Sequence, residues 1–319
     1  MASKSSASAA TWANAEVGGL YWGMKFYLLV HRLLGRTLFS VFMVPALMFY
    51  FLYAKRARNA SQDYLKTLHA FDAQAVEYKK PSLWLSFRHF YQFTQVILDK
   101  LLAWASGVYH HNVTFPNKEV FRGAMANGRN GIIVTSHFGN IEACQALSEN
   151  NDNVRLNVLY HTVHNRKFCQ LIEEIGGDRA VRFIEVTSIN GALAMELAEK
   201  VQQGEWICIM GDRIPPFGDS DEVGVDVQFL GRTVKLPIGP YILASILKCP
   251  LYRLNCVPDE RSRDDYYIDF ELLADEVRLD RNNRTASVRE YAQAFAHKME
   301  KQCQMRPLQW FNFFPYWDQ

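Results

Sequence analysis

No two of the six cysteines (Cys144, Cys169, Cys208, Cys249, Cys256 and Cys303) fall in a C-x-x-C spacing, so neither a zinc ribbon nor a redox pair is encoded. Most lie in apolar runs such as Trp206-Ile207-Cys208-Ile209-Met210, as small buried hydrophobes in a reducing compartment do. H-E-x-x-H spacing is missing, and His161/His164 and His110-His111 lack a credible further ligand set, so no metal is expected. There is no G-x-S-x-G elbow, which argues against an acyl-serine hydrolase. Phosphate-cradling loops of the G-x-x-x-x-G-K-[ST] or G-x-G-x-x-G type are missing too, and no cofactor is expected. Charge of one sign is scarce: 35 Lys+Arg against 33 Asp+Glu leave +2. Beyond Lys55-Arg56-Ala57-Arg58 no basic run could follow a nucleic acid, and no nucleic-acid partner is expected.

What is present is apolar. Hydrophobic residues make up 49% of the 319 and charged residues 21%, enough to bury a sizeable core. The 21 Phe, 15 Tyr and 7 Trp suit either a large core or a lipid-facing surface. Residues 1–19, rich in Ala, Ser and Gly, read as a loose end. Thr37 to Ala54 then runs 18 residues without a charge. As a helix it would reach about 27 Å, close to the ~30 Å hydrocarbon layer of a bilayer. It starts too late for a signal peptide and runs into Lys55-Arg56 without a small-residue cleavage site. Pro45 sits in its middle, and cations flank both ends (Arg32, Arg36; Lys55, Arg56, Arg58), so no orientation follows. A membrane-anchoring helix is expected, with a buried core helix as the alternative. Residues 1–58 are thus the loose end plus the anchoring segment, and residues 59–319, without repeat or long linker, one domain.

Residues 59–105 carry helical spacing, as at Leu65, Leu68 and Phe71 and at Trp84, Phe87 and Tyr91. After His110 short apolar runs alternate with helical stretches. Strands are predicted over Gly131–Ser136, Val154–Tyr160, Arg179–Val186, Glu205–Met210, Val223–Phe229 and Leu251–Val257. Helices are predicted over Glu142–Glu149, Arg166–Ile175, Asn190–Gln203, Ile238–Leu247 and Ser287–Gln304. The alternation implies an α/β fold with a largely parallel central sheet flanked by helices.

The strongest chemical signal is Ile132-Ile133-Val134-Thr135-Ser136-His137-Phe138-Gly139-Asn140-Ile141-Glu142. A buried strand ends at His137, turns through Gly139 and Asn140, and enters a helix near Glu142. Ligands of open α/β sheets collect at the carboxyl ends of strands. A neutral imidazole there can take a proton from a hydroxyl, and Glu142 can hold its tautomer and stabilise the imidazolium. A structural, hydrogen-bonded histidine is the alternative.

His, four residues, then an acid resembles the first motif of the glycerolipid and lysophospholipid acyltransferase superfamily. Thr135–Glu142 is most similar to the branch containing the bacterial lipid A late acyltransferases, which use acyl-carrier-protein donors. The resemblance covers residues 20–319 and includes the hydrophobic N-terminal segment, Lys55–Arg58 followed by Tyr64-Leu65, and the ending Pro307-Leu308-Gln309-Trp310-Phe311. Relatives carry a Tyr-Arg-Pro-x-x-Asn-like element where Tyr160-His161-Thr162-Val163-His164-Asn165 stands, so His161 replaces an arginine. In Gly211-Asp212-Arg213, Asp212 matches an Asp-Gln segment that shapes the family's site. Arg213 replaces the Gln and can meet a phosphate or carboxylate. Val225–Phe229, Leu230-Gly231-Arg232 and Thr233–Pro240 resemble the family's strand, Gly turn and helix start, read as scaffold and acyl-pocket lining.

The resemblance implies an O-acyltransferase with His137 and Glu142 catalytic and Asn140, His161, Asn165, Asp212 and Arg213 binding substrate. The donor would be a thioester on acyl carrier protein, with acyl-CoA second, and the acceptor a lipid or glycolipid hydroxyl. Arg166, Lys167, Arg179 and Arg182 are candidate docking cations for an acidic carrier. The expected location is the inner membrane with the catalytic domain on its cytoplasmic side. A thioesterase-like hydrolase using the same dyad, and a non-catalytic membrane scaffold, are the alternatives.

Overall fold

The computed structural model describes residues 38–73 (apart from 39 and 42), 80–106, 113–140, 154–160, 181–186, 191–215, 220–258 and 265–318. Strand β2 (Ile132–Thr135) is buried at every position, as a central strand covered on both faces must be. Ile132 and Val134 enter the larger apolar cluster, while Ile133 enters a second one on the opposite face with Trp206, Tyr252 and Phe270. Around β2 lie β1 (Val113–Thr114), β3 (Leu156–Tyr160), β4 (Val181–Glu185), β5 (Trp206–Met210), β8 (Leu251–Pro258) and β9 (Tyr266–Ala274), in the order β1-β9-β8-β2-β5-β3-β4. Every neighbouring pair is parallel except β8–β9. The mixed α/β architecture with a mostly parallel sheet is therefore as expected.

Helices α1 (Lys55–Phe71) and α2 (Leu83–Ser106) precede the sheet, and Tyr64, Leu65, Leu68 and Leu85 join its main core. Helix α3 (Lys118–Ala126) packs Phe121 on Trp206 and Phe270. Helix α4 (Gly191–Gln202) leads into β5, and a short helix α5 (Ser220–Val223) leads into β6. Helix α6 (Gly239–Leu247) carries Pro240 in its first turn, where its fixed φ fits, and ends at Lys248 in the left-handed region. Helix α7 (Arg284–Met305) is capped by the Asn283 side chain and buries Val288, Ala292, Phe295, Ala296, Met299 and Cys303, the stripe of an amphipathic helix.

Two elements differ from expectation. Thr233–Pro240 enters its helix only at its last two residues: β6 (Gly224–Phe229) and β7 (Arg232–Pro237) form an antiparallel hairpin through Leu230-Gly231, both at positive φ, and α6 starts at Gly239. The buried Glu300 side chain accepts from Leu230 N–H at 2.7 Å and fixes the turn on α7. Strand β9 was not among the predicted strands, although buried Tyr266, Ile268 and Phe270 alternate with half-exposed Tyr267, Asp269 and Glu271. The helices predicted over Glu142–Glu149 and Arg166–Ile175 lie outside the described residues.

Among the described residues no helix is long and apolar enough to cross a membrane. Residues 43–53 are helical, with Leu47 and Phe51 packed against Phe87 and Phe90 of α2. Val44, Met48, Phe49, Tyr50, Leu52 and Tyr53 of the same stretch are exposed, as are Leu83 and Trp84. One edge of the segment rests on protein and the rest presents apolar surface.

Candidate active site

Sheet register assembles the site. Thr135 at the end of β2 pairs with Met210 at the end of β5, so two residues further on His137 and Asp212 emerge side by side. Gly211 N–H donates to Thr135 O at 2.8 Å, which extends the pairing past the strand ends. Gly211 also leaves room for Val134 and Phe295, whose atoms a Cβ would crowd. The chain then turns at Gly139, φ +69°, where a Cβ would run into Cys256 O. Only glycine fits both the dihedral and the close approach to β8. Asn140 N–H donates to the same Cys256 carbonyl at 2.7 Å.

His137 Nδ1 lies 2.8 Å from Asp212 Oδ1, and His137 N–H donates to Asp212 Oδ2 at 3.0 Å. Trp310 Nε1–H also donates to Oδ2, at 3.2 Å, and Tyr316 O–H donates to the Asp212 main-chain carbonyl at 2.8 Å. The Asp212 side chain is wholly buried, whereas 35% of the His137 side chain is exposed. Burial by itself would raise the Asp212 pKa. The His137 ring, Arg213 and the His137 main-chain N–H outweigh it and hold the carboxyl well below the usual carboxylate range. His137 is pulled down from its ordinary value, first by burial and then by Arg213, against the upward pull of Asp212. Its resting state is therefore a neutral imidazole with Nδ1–H donated to a carboxylate, which leaves Nε2 as the basic nitrogen.

A C-terminal strap closes the site. Gly139 N–H donates to Gln309 O and Phe311 N–H to His137 O, both at 2.9 Å, so residues 309–311 run antiparallel to residues 137–139. Arg213 donates to Phe311 O at 2.7 Å and rests on the Phe314 ring. The fully buried Trp310 meets Tyr64, Phe229 and Tyr316 edge-on.

The expected site residues fare differently. His137, Asp212 and Arg213 come together, with Arg213 directed to the strap. Asn140 is fully buried, its amide nitrogen 3.4 Å from the Tyr266 hydroxyl, and so faces the interior. Glu142, His161 and Asn165 lie outside the described residues, as do Arg166, Lys167 and Arg179. Arg182 is 4.0 Å from Glu205 near the amino ends of the strands, at the far end of the sheet from His137. No group of three or more His, Cys, Asp or Glu among the described residues could hold a metal ion. Trp310 and Tyr316 were not foreseen as site residues. Their sequence signal was the aromatic ending itself, Trp310-Phe311-Asn312-Phe313-Phe314-Pro315-Tyr316-Trp317, too rich in large rings for a free tail.

A family model described as bacterial lipid A biosynthesis acyltransferase matches residues 27–319. The chain belongs to this family. Membership makes it a lipid acyltransferase of lipid biosynthesis, with an acyl donor and a lipid acceptor. No single curated protein matches the chain. The matched span includes the His137 turn, Asp212 and the strap.

Proposed function

We propose that the chain moves a fatty acyl group from a thioester on acyl carrier protein to a hydroxyl of a glycolipid, with His137 as general base. The observation that carries this reading is the 2.8 Å contact between His137 Nδ1 and the buried, ionised Asp212. An imidazole whose Nδ1–H is held by a carboxylate keeps Nε2 basic and is stabilised when that nitrogen gains a proton. The acceptor O–H gives its proton to Nε2 as its oxygen attacks the thioester carbonyl. The tetrahedral intermediate then expels the thiolate, which takes the proton back from Nε2. No acyl-enzyme forms, because the thioester is already activated. The Gly139 and Asn140 main-chain N–H groups in the turn after His137 already donate to Gln309 O and Cys256 O, so donors to the oxyanion must come from other groups.

Glu142 remains a proposed second carboxylate, separable from Asp212 by mutation. His161 and Asn165 remain proposed contacts to the acceptor, as does Arg213 through whatever donor capacity the strap leaves it. Residues 1–58 would hold the enzyme at the cytoplasmic side of the inner membrane. The apolar surface of residues 43–53 and Trp84 supports that attachment.

The test is turnover by the purified full-length protein, given acyl carrier protein and CoA thioesters in turn with a glycolipid acceptor. The expected result is ester formation, fastest from the carrier-protein thioester. Release of free fatty acid with no acylated lipid would replace transfer by hydrolysis. Efficient use of acyl-CoA alone would overturn the donor. Lipid mass spectrometry of cells with and without the gene would identify the acceptor.

A further inference from the structure

The strap that fixes Asp212 is itself held from the other side by a second histidine. His89, in α2, is completely buried. Its Nε2 lies 2.9 Å from Trp310 O and its Nδ1 3.0 Å from Ser61 Oγ. A carbonyl can only accept, so Nε2 carries the hydrogen and Nδ1 accepts from the Ser61 hydroxyl. Ser61 in turn accepts from Ser86 Oγ at 2.8 Å, so the tautomer is fixed by a short directed chain. The ring packs against Phe313 at 4.6 Å between centroids, and against Tyr64 and Phe311. Trp310 therefore carries bonds of opposite direction, its carbonyl also accepting from Asn312 N–H at 2.9 Å. Its carbonyl is held by His89 and its indole N–H holds Asp212, while the next residue, Phe311, donates to His137 O.

We infer that His89 is a positioning residue for the His137–Asp212 pair, acting through Trp310. The inference rests on the reading of that pair as the catalytic base. Removing the Nε2–H donor cuts the tie between the Trp310 carbonyl and α2 and leaves it the local Asn312 N–H at 2.9 Å, so the strap is freed to shift on that side. A shift there displaces the indole N–H and the Phe311 N–H together, so the carboxylate and the imidazole lose alignment. Burial, then Arg213, Asp212 and Lys100, set the His137 pKa, and the strap touches Arg213 and Asp212 directly.

The experiment uses the full-length protein with His89→Phe, which keeps the ring packing and removes both nitrogens, and His89→Gln, whose amide can reach Trp310 O in place of Nε2. His89→Phe is expected to lower kcat on the order of 10- to 100-fold with KM nearly unchanged, since alignment rather than substrate contact is lost. His89→Gln should recover most of that. The His137 pKa, followed by NMR of its ring protons, should fall further below its ordinary value in His89→Phe, because the Asp212 contact that raises it weakens, and return in His89→Gln. This readout does not depend on which substrate the enzyme takes. A folded His89→Phe with parental kcat and an unmoved His137 titration would overturn the inference. So would a His89→Gln as impaired as His89→Phe. Should His89→Phe fail to fold, Ser61→Ala carries the test. Freed of its donor, the His89 ring can change tautomer, and a few-fold loss of kcat with a shifted His137 titration is expected, whereas no change in either would again refute the role. If instead His137→Ala kept full activity, the catalytic reading would fail while the pKa coupling could still stand.

Discussion

Two buried carboxylates sit at opposite ends of the same parallel sheet, and only one of them faces a group that can exchange a proton. Asp212 follows β5 at its carboxyl end and Glu205 precedes β5 at its amino end. Both are buried, and both are held below their ordinary pKa against the upward pull of burial. Glu205 is held by bonds from Asn157 and Arg155 and by the charges of Lys200 and Arg182. Its partners are an amide and side-chain cations, so Glu205 neutralises and fastens. Asp212 instead meets an imidazole with a third of its surface open. A depressed pKa therefore marks a well-partnered carboxylate, and its partner decides whether chemistry follows.

The widest expected gap between the two ends is in turnover. His137→Ala and Asp212→Asn are each expected to lower turnover per folded molecule by roughly 10²–10⁴-fold, Asp212→Asn with a loss of stability as well, and the double change by little more than either alone, because the pair acts as a unit. Glu142→Gln is expected to lose less. The acylation assay, with melting temperature as the control, decides among these. A folded His137→Ala that turned over normally would make the histidine structural and erase the contrast.

At the other end the sign of the contrast reverses. Glu205→Gln should leave turnover within about twofold yet cost about 1–3 kcal/mol of stability, because Arg155, Arg182 and Lys200 lose their shared carboxylate. Denaturant unfolding measures the cost. A large loss of activity in a stable Glu205→Gln would show that the amino end also serves the reaction.

Acid sharpens the comparison through the histidines. In the folded protein His137 titrates below its ordinary value, chiefly through burial and Arg213, and burial lowers His89 to about 4. Below the unfolded value of about 6.5, the unfolded chain takes up protons that the native state refuses. Stability is thus fully present above about pH 6.5 and falls as pH drops from there, by about 1.4 kcal/mol per unit for each histidine still neutral in the fold. Urea unfolding between pH 7.5 and 5 should show this slope, and His89→Phe should remove one proton from it. A flat profile would contradict the neutral state of both rings. The carboxylates add their own loss only at lower pH, as each is protonated through its depressed pKa.

The smallest effect is expected at Arg155. More than half of its side chain is exposed and its bond to Glu205 is long, so Arg155→Ala should change stability by no more than about 0.5 kcal/mol. A larger change would mean that the amino-end cluster behaves as one network.

Much of the fold was legible because it is written in local patterns. The uninterrupted apolar run of β2, the caps and stripe of α7, and the proline at the start of α6 need only neighbouring residues to be read. Strand β9 was readable too, in the alternation of Tyr266, Ile268 and Phe270 with polar residues. Strand β7 was not, because Thr233–Pro240, with its two prolines, resembles a helix start and its Leu-Gly turn lacks the usual Asn-Gly signal. Within the site, His137 and its glycine turn were visible because one short segment contains strand, turn and nucleophile-activating base.

Taken alone, the sequence determined that a histidine would stand at the carboxyl end of a buried strand, since periodicity, the Gly139 turn and the strand's length are all local. It also marked Asp212, from its resemblance to a family segment, without assigning it to His137. Only the tertiary structure decided that the carboxylate on Nδ1 is Asp212, 75 residues away, because parallel register of β2 with β5 brings the two strand ends level. It likewise decided that Trp310 and His89, 221 residues apart, share one hydrogen bond behind that pair. No sequence period links positions so distant. They meet because the strap packs between α2 and the carboxyl ends of the strands, where its buried N–H and carbonyl groups find partners.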